Sequence, residues 1–272
     1  MRRAPATAKI NLALVVGPRR DDGRHEVATV YQRIDLADRI ALEPAPRLRI
    51  EGFVDDTLVR QALETIAAAA RDDRRWEARI WKRIPVAAGL GGGSSDAATA
   101  LRLANETLRE PLDPPGVTAL ASSLGTDVPF FLTTGPQLGE GTGTELTALE
   151  LPQDFWVVLV LPRDARKSST ATVYAAFDER GGERGFARRR EALDEALAAV
   201  RRPRDLAYLP PNDLASSPLA DELRALGAFR ADVSGAGPAV YGLFHHRQQA
   251  RTAAHELRIH GQTWLTVPTW YG

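Results

Sequence analysis

Cysteine is absent from the 272 residues. That excludes disulfides, thiolate metal sites and a cysteine nucleophile, and it suits a reducing cytoplasm. An excess of one charge is missing too: 35 basic residues face 35 acidic ones, so the formal net charge is zero. Such a chain carries no bulk electrostatic footprint for nucleic acid or a membrane surface. No stretch approaches the roughly 18 apolar residues of a membrane span. The amino terminus, MRRAPATAKINLALVV, is basic and then apolar, but Lys9 and Asn11 interrupt the apolar stretch and RRDD follows at Arg19. A secretory leader has a longer and cleaner apolar region. Lysine is scarce as well: Lys9, Lys82 and Lys167 are the only three, and every other basic residue is arginine. A genome biased toward arginine codons accounts for this, and three lysines do not by themselves mark a site.

What is present reads as an enzyme-sized globular protein, with 44% hydrophobic and 26% charged residues, long enough for one large domain or two small ones. Alternation predicts strands over Ala8–Val16, His25–Ile34, Arg39–Pro44, Arg47–Phe53 and Arg75–Ile84, with Trp81 breaking the polar face of the last. Thr57–Ala70 carries Leu58, Ala62 and Ile66 on one face and predicts a helix, with Asp55 and Asp56 favouring its amino terminus. Further helices are expected over Ser95–Leu108, Val117–Leu124, Ala171–Phe177, Ala187–Val200, Pro218–Leu226 and Arg247–Ile259. Phe155–Leu161 is uniformly apolar, as a strand covered on both faces is. Ala231–Phe244 reads as two strands about a Ser-Gly-Ala-Gly turn, and Thr263–Val267 as a last strand. No internal repeat is visible. Strands and helices mix without strict βαβ alternation, which places the chain in the α+β class. A change of character near residue 152 divides it into parts 1–152 and 153–272.

The most distinctive stretch is IPVAAGLGGGSSDAATAL, Ile84–Leu101, with four glycines between Gly89 and Gly93. Backbone without Cβ atoms lets N–H groups converge on an anion. A helix starting just after adds its unpaired N–H groups and the positive end of its dipole. Ser94 and Ser95 supply hydroxyls for phosphate oxygens or a magnesium ion. The stretch is not a Walker A loop, since no Gly-Lys-Ser/Thr ends it, and it is not G-x-G-x-x-G, since position 94 is serine. A plain strand-to-helix connector is the competing reading; the two serines and the helix start favour a triphosphate cradle.

PVAAGLGGGSSDAA resembles the second motif of the GHMP kinases. Four other segments follow in the same order. AKINLAL (Ala8–Leu14), DGRHEVATVYQRIDLADRI (Asp22–Ile40), LGTDVPFFL (Leu124–Leu132), and PND (Pro211–Asp213) with SGAGPAVYGLF (Ser234–Phe244) are similar to the branch acting on a cytidine diphosphate-linked methylerythritol in the non-mevalonate isoprenoid precursor pathway. The resemblance implies a two-part α+β fold. Its amino-terminal part is ribosomal-protein-S5-like, its carboxy-terminal part is ferredoxin-like, and the active site lies in the cleft between. It also implies ATP and Mg²⁺, with the phosphates held on Pro85, Gly89, Leu90, Gly91, Gly92, Gly93, Ser94 and Ser95, and with Ser95 as metal ligand. By the same resemblance Asp127 is the general base that takes a proton from the substrate's 2-hydroxyl, and Lys9 lies beside it. The chemistry is sound on its own terms: an alcohol is a poor nucleophile, and a carboxylate in reach accepts its proton as the P–O bond forms. An ammonium nearby offsets charge on the transferred group. Asn11, Arg24, His25, Tyr174, Asn212 and Asp213 are the implied substrate contacts, Tyr174 stacking on cytosine. Arg24 stands where the family has a tyrosine, and a guanidinium also stacks on a base. Thr57 stands where the family often has asparagine, and APATAKIN is two residues longer than the usual PAKIN. A GHMP kinase for another small alcohol, with Arg24 on a phosphate, and a non-catalytic nucleotide sensor of the same fold are the alternatives. Oligomeric state has no signature in the chain.

Overall fold

A long antiparallel hairpin organises the amino-terminal part: β1 (Arg2–Arg19) pairs with β2 (His25–Ala45) along almost its full length. The Asp-Asp-Gly turn closes it. There Gly23 takes a left-handed conformation at φ 80° and the Arg20 N–H donates to the Arg24 carbonyl at 2.7 Å. The structure, a computed structural model, describes residues 1–53, 57–165 and 169–269, so Asp55, Asp56 and Lys167 lie outside it.

The two strands expected over 25–34 and 39–44 are one. The polar run after Ile34 looks like a break, but Leu36 is buried and so is Asp38, whose carboxylate accepts backbone N–H groups from a neighbouring loop. β3 (Arg49–Glu51) is shorter than expected. α1 (Thr57–Ala69) is followed by β4 (Arg75–Trp81), which buries Trp76, Ala78 and Ile80 on alternate positions. α2 (Gly92–Asn105) starts three residues before the predicted Ser95, because Gly91 at φ 70° serves as its N-cap. The weak helix propensity of glycine hides that first turn. α3 (Pro114–Leu124) is capped by Asp113, whose carboxylate accepts from the Gly116 N–H. β5 (Gln137–Glu140) and β6 (Glu145–Ala148) form a hairpin that the sequence does not reveal, since four residues carry too little period. The sheet runs β3-β4-β2-β5-β6 with β1 beside β2. Its core packs residues such as Ile40, Leu63, Ile66, Trp76, Leu101 and Phe130 together.

The second sheet uses β7 (Trp156–Pro162), β8 (Arg230–Val233), β9 (Val240–Phe244) and β10 (Gly261–Thr266), all antiparallel in the order β10-β7-β9-β8. α4 (Thr170–Glu179), α5 (Phe186–Ala199) and α6 (Pro218–Ala225) fall between β7 and β8, and α7 (Arg247–Glu256) between β9 and β10. That is the split-βαβ, ferredoxin-like connection. A shared apolar cluster joins the two sheets: Ile10, Leu12, Val15 and Val30 of the hairpin pack with Val157, Leu159, Tyr241 and Leu243. The other face of the second sheet is covered through Leu223, Ala250, Ala253 and Leu257. β7 is thus covered on both sides, as its uniform apolarity predicts. No helix among the described residues is long and apolar enough to cross a membrane.

Because one core spans both sheets, the protein should unfold as one cooperative unit. Leu159→Ala, which empties a fully buried site, is expected to cost about 2–5 kcal/mol. Urea melts followed by circular dichroism and by tryptophan fluorescence should shift together; separate transitions for the two probes would contradict a shared core.

Candidate active site

A cavity of about 480 Å³ opens where the hairpin, the glycine loop, the turn at Asp127 and the turn at Gly235–Gly237 meet. Strand alternation brings Lys9 and Asn11 of β1 and Thr29 and Tyr31 of β2 to its wall. Hydrogen bonds aim the lysine: its ammonium donates to Asn11 Oδ1 at 2.6 Å, the Asn11 amide donates to Thr29 Oγ1 at 2.7 Å, and that hydroxyl donates to the Ala13 carbonyl at 2.8 Å. A register shift between Asn11 and Ala13 bends β1 at this point.

Lys9 Nζ stands 3.4 Å from Asp127 Oδ2, and Tyr31 Oη donates to Asp127 Oδ1 at 3.1 Å. The carboxylate is therefore oriented at both oxygens. Burial, with the Asp127 charge adding to it, lifts Tyr31 well above the usual phenol range, so it acts as a hydrogen-bond donor. The Lys9 side chain is 4% exposed and that of Asp127 29%, so the carboxylate is the more open of the two on the cavity wall. Behind it, buried Arg33 donates to the Phe130 and Thr133 carbonyls at 2.9 and 2.6 Å, fixing the 3₁₀ turn Pro129–Leu132. Burial lowers Arg33 to about 10, with Arg102 adding to the shift.

The glycine loop packs against this pair. Gly89 and Gly91 have φ of 82° and 70°. A Cβ on Gly91 would stand 3.0 Å from Lys9 Cγ, and one on Gly89 only 2.1 Å from the Ser234 carbonyl oxygen. Ser234 Oγ donates to the Gly89 carbonyl at 2.9 Å, and the Lys9 N–H to the Leu90 carbonyl at 3.0 Å. Gly89, Gly91 and Ser94 line the cavity together with Asp127 and Lys9. α2 starts here without a side-chain cap, so its free N–H groups are available to an anion.

A second cavity of about 520 Å³ adjoins the first, sharing Val27, Thr126, Thr142, Thr170 and Tyr174 with it. Arg24 and His25 line it. The buried His25 ring stacks on Tyr174 at 4.8 Å and its Nε2 donates to Asp178 Oδ1 at 2.7 Å. Burial, then the Asp127 charge, pushes Tyr174 up to about 12.

Other predicted residues take different positions. Pro85, Leu90, Gly92, Gly93 and Ser95 are not among the cavity-lining residues. With α2 starting at Gly92, the helix turn carries Ser95 into the packed interior, where it is 1% exposed; Ser94, not Ser95, is the serine on the cavity wall. Asn212 is not on the cavity wall either. Its amide donates to the Val233 and Gly235 carbonyls and its oxygen accepts from the Leu214 N–H. Asp213 accepts from the Val16 N–H at 2.8 Å and from Arg189 at 2.9 Å. Asn212 braces the turn that backs the cavity, and Asp213 ties its own loop to β1 and α5; neither lines the cavity. Tyr31, Thr29 and Asp178 do not stand out in the sequence; the first two lie two apart on a strand beside the DG-HE segment, the one signal that marks them.

Such a site, with an uncapped glycine-lined helix start facing an oriented carboxylate and ammonium, belongs to a phosphoryl-transfer enzyme. The chain matches the family described as GHMP kinases N terminal domain over residues 57–135 and that described as GHMP kinases C terminal over residues 189–263. A protein of Geobacter sp. (strain M21), "4-diphosphocytidyl-2-C-methyl-D-erythritol kinase", is 38% identical over 266 residues, covering 93% of this chain and 92% of that one. A protein of the same name from Anaeromyxobacter sp. (strain Fw109-5) is 40% identical over 263 residues, covering 92% and 84%. A crystal structure of 4-(cytidine 5'-diphospho)-2C-methyl-D-erythritol kinase superposes with a TM-score of 0.80 at 33% identity, covering 98% of this chain and 99% of that chain. The chain belongs to the GHMP kinases, in the branch of the 4-diphosphocytidyl-2-C-methyl-D-erythritol kinases.

Gly89→Ala puts a side chain at positive φ and against the Ser234 carbonyl. The conformation alone costs about 1–3 kcal/mol. Thermal melts should show at least that loss, and ATP affinity should fall with it; a variant with normal stability and affinity would refute this reading of the loop.

Proposed function

We propose that the protein transfers the γ-phosphoryl group of ATP to the 2-hydroxyl of 4-diphosphocytidyl-2-C-methyl-D-erythritol, in the cleft between parts 1–152 and 153–272. The observation that carries this is the Lys9–Asp127 pair, 3.4 Å apart, on one cavity with Gly89, Gly91 and Ser94. Asp127 accepts the hydroxyl proton as the alcohol oxygen bonds to the γ-phosphorus and the bond to ADP breaks. Tyr31 and Lys9 hold that carboxylate at both oxygens, so little reorganisation is needed at the moment of transfer. Lys9 offsets negative charge that builds on the transferred group.

The residues suit Mg²⁺. Asp127 is the one carboxylate among the described residues lining the cavity it shares with Lys9 and the glycine loop, and no group of three or more His, Cys, Asp or Glu that could hold a metal occurs among the described residues. Mg²⁺ needs few protein ligands when phosphates supply the rest, and Ser94, on the loop side of the cavity, would supply a hydroxyl to it. When bound, the ion neutralises the β- and γ-phosphate charge. His25 and Tyr174, with Arg24 at the rim, form the nucleobase end of the site. The substrate is a soluble small molecule, and the cysteine-free chain fits work in the cytoplasm.

Asp127→Asn is expected to lower kcat by about a hundred- to ten-thousandfold while ATP still binds. ADP release should require the cytidyl substrate in the wild type. Near-normal turnover by Asp127→Asn would sink the mechanism, and a preference for a cytidine-free alcohol would sink the substrate assignment.

A further inference from the structure

Lys82 lies at the foot of the glycine loop, off the cavity wall. Its ammonium donates to Asp38 Oδ2 at 2.5 Å and to Asp96 Oδ2 at 2.7 Å. Both carboxylates are fully buried and the lysine side chain is 16% exposed. The three residues belong to different elements. Asp38 is in β2, Lys82 directly follows β4, and Asp96 is in α2 just past its first turn. The other oxygen of Asp38 accepts the N–H groups of Arg83 and Ile84, the latter at 2.9 Å, where the chain enters the loop. A Cβ on Gly92 would stand 3.4 Å from Lys82 Nζ and 3.0 Å from Ile84 Cγ2. The ammonium is therefore pressed against the residue that starts α2. The Phe53 ring flanks it with its centroid 5.7 Å away. Burial opposes the charge on Lys82, but the two carboxylates outweigh it and hold the ammonium above its usual range.

Buried ion clusters contribute little to stability when compared with apolar packing. Their use is geometric, and here the geometry joins both ends of one loop. We propose that Lys82 is a positioning residue for ATP: one ammonium fixes the entry of the phosphate loop, through Asp38, and its exit into α2, through Asp96. It also balances negative charge that would otherwise lie beneath a site for a polyanion. The chain uses arginine almost everywhere else. A planar guanidinium spreads its donors over a fork, whereas a compact ammonium serves two carboxylates from a single point. This inference rests on the kinase reading.

The test compares wild type with Lys82→Gln, Lys82→Arg and Asp96→Asn, each checked by thermal melt. Direct ATP binding and separate KM values for ATP and for the cytidyl alcohol are the readouts. Folded Lys82→Gln should lose about a hundredfold in kcat/KM for ATP, the scale of a small misplacement at a site, with KM for the alcohol unchanged. Lys82→Arg should fall between Lys82→Gln and wild type. If Lys82→Gln does not fold, Asp96→Asn decides, since it keeps the Lys82–Asp38 contact and weakens the helix end; the same ATP-selective loss is expected. ATP constants equal to wild type in a folded variant, or equal losses for ATP and alcohol, would overturn the positioning role and leave the kinase reading intact. A wild type that binds no ATP would overturn both.

Discussion

The contact between two stretches of bare backbone sets the terms for the rest of this molecule. Gly89 of the glycine loop and Gly237 of the carboxy-terminal turn approach so closely that a Cβ on Gly237 would fall 2.2 Å from the Gly89 nitrogen. Around them the Ala239 N–H donates to the Ala88 carbonyl at 3.1 Å and Ser234 Oγ to the Gly89 carbonyl. The loop is thereby part of an interface between the two sheets, not a free connector. Conformational freedom that glycine would bring to an open loop is removed by packing against the carboxy-terminal turn. Asn212 gains its meaning here, because it braces the turn that braces the loop.

Two lysines serve this arrangement from opposite sides. Lys9 faces the cavity beside the carboxylate, and its bond to Asn11 stops it from collapsing wholly onto Asp127. Lys82 faces away, into a pair of buried acids. Each is a compact ammonium in a crowded place where a guanidinium fork would need a second set of acceptors. Arg33 makes the contrast. It reaches two carbonyls at once while lying over Phe130 and Phe131, a role that suits a fork.

Legibility in the sequence follows from how local each signal is. The hairpin, β7, the long helices and the glycine stretch announce themselves through period or composition within one window. Lys9 and Asp127 are legible through motif resemblance, and the fold supplies what a motif lacks, namely their separation and the tyrosine that completes their setting. Tyr31 is hidden because a tyrosine on an alternating strand looks like core. Asp38 is hidden for the opposite reason: an acid inside an apolar strand looks like a break, and its partners sit 44 and more residues further on. The β5–β6 hairpin and the start of α2 are lost to short length and to glycine's low propensity, both of which tertiary packing overrides.

The two adjoining cavities are held together with different degrees of rigidity. The Lys9–Asp127 end is cross-braced by bonds among β1, β2 and the turn at Asp127. The His25–Tyr174 end hangs on the hairpin tip and on α4, joined by a ring stack and the bond to Asp178. Arg24 is exposed and lines the same cavity. Phosphoryl transfer needs atoms held to fractions of an ångström, whereas a base held by stacking tolerates different partners above and below its plane. Under the proposed function, that difference lets Lys9, Asp127 and the glycines stay fixed while Arg24 takes the place where the resembling motif has a tyrosine.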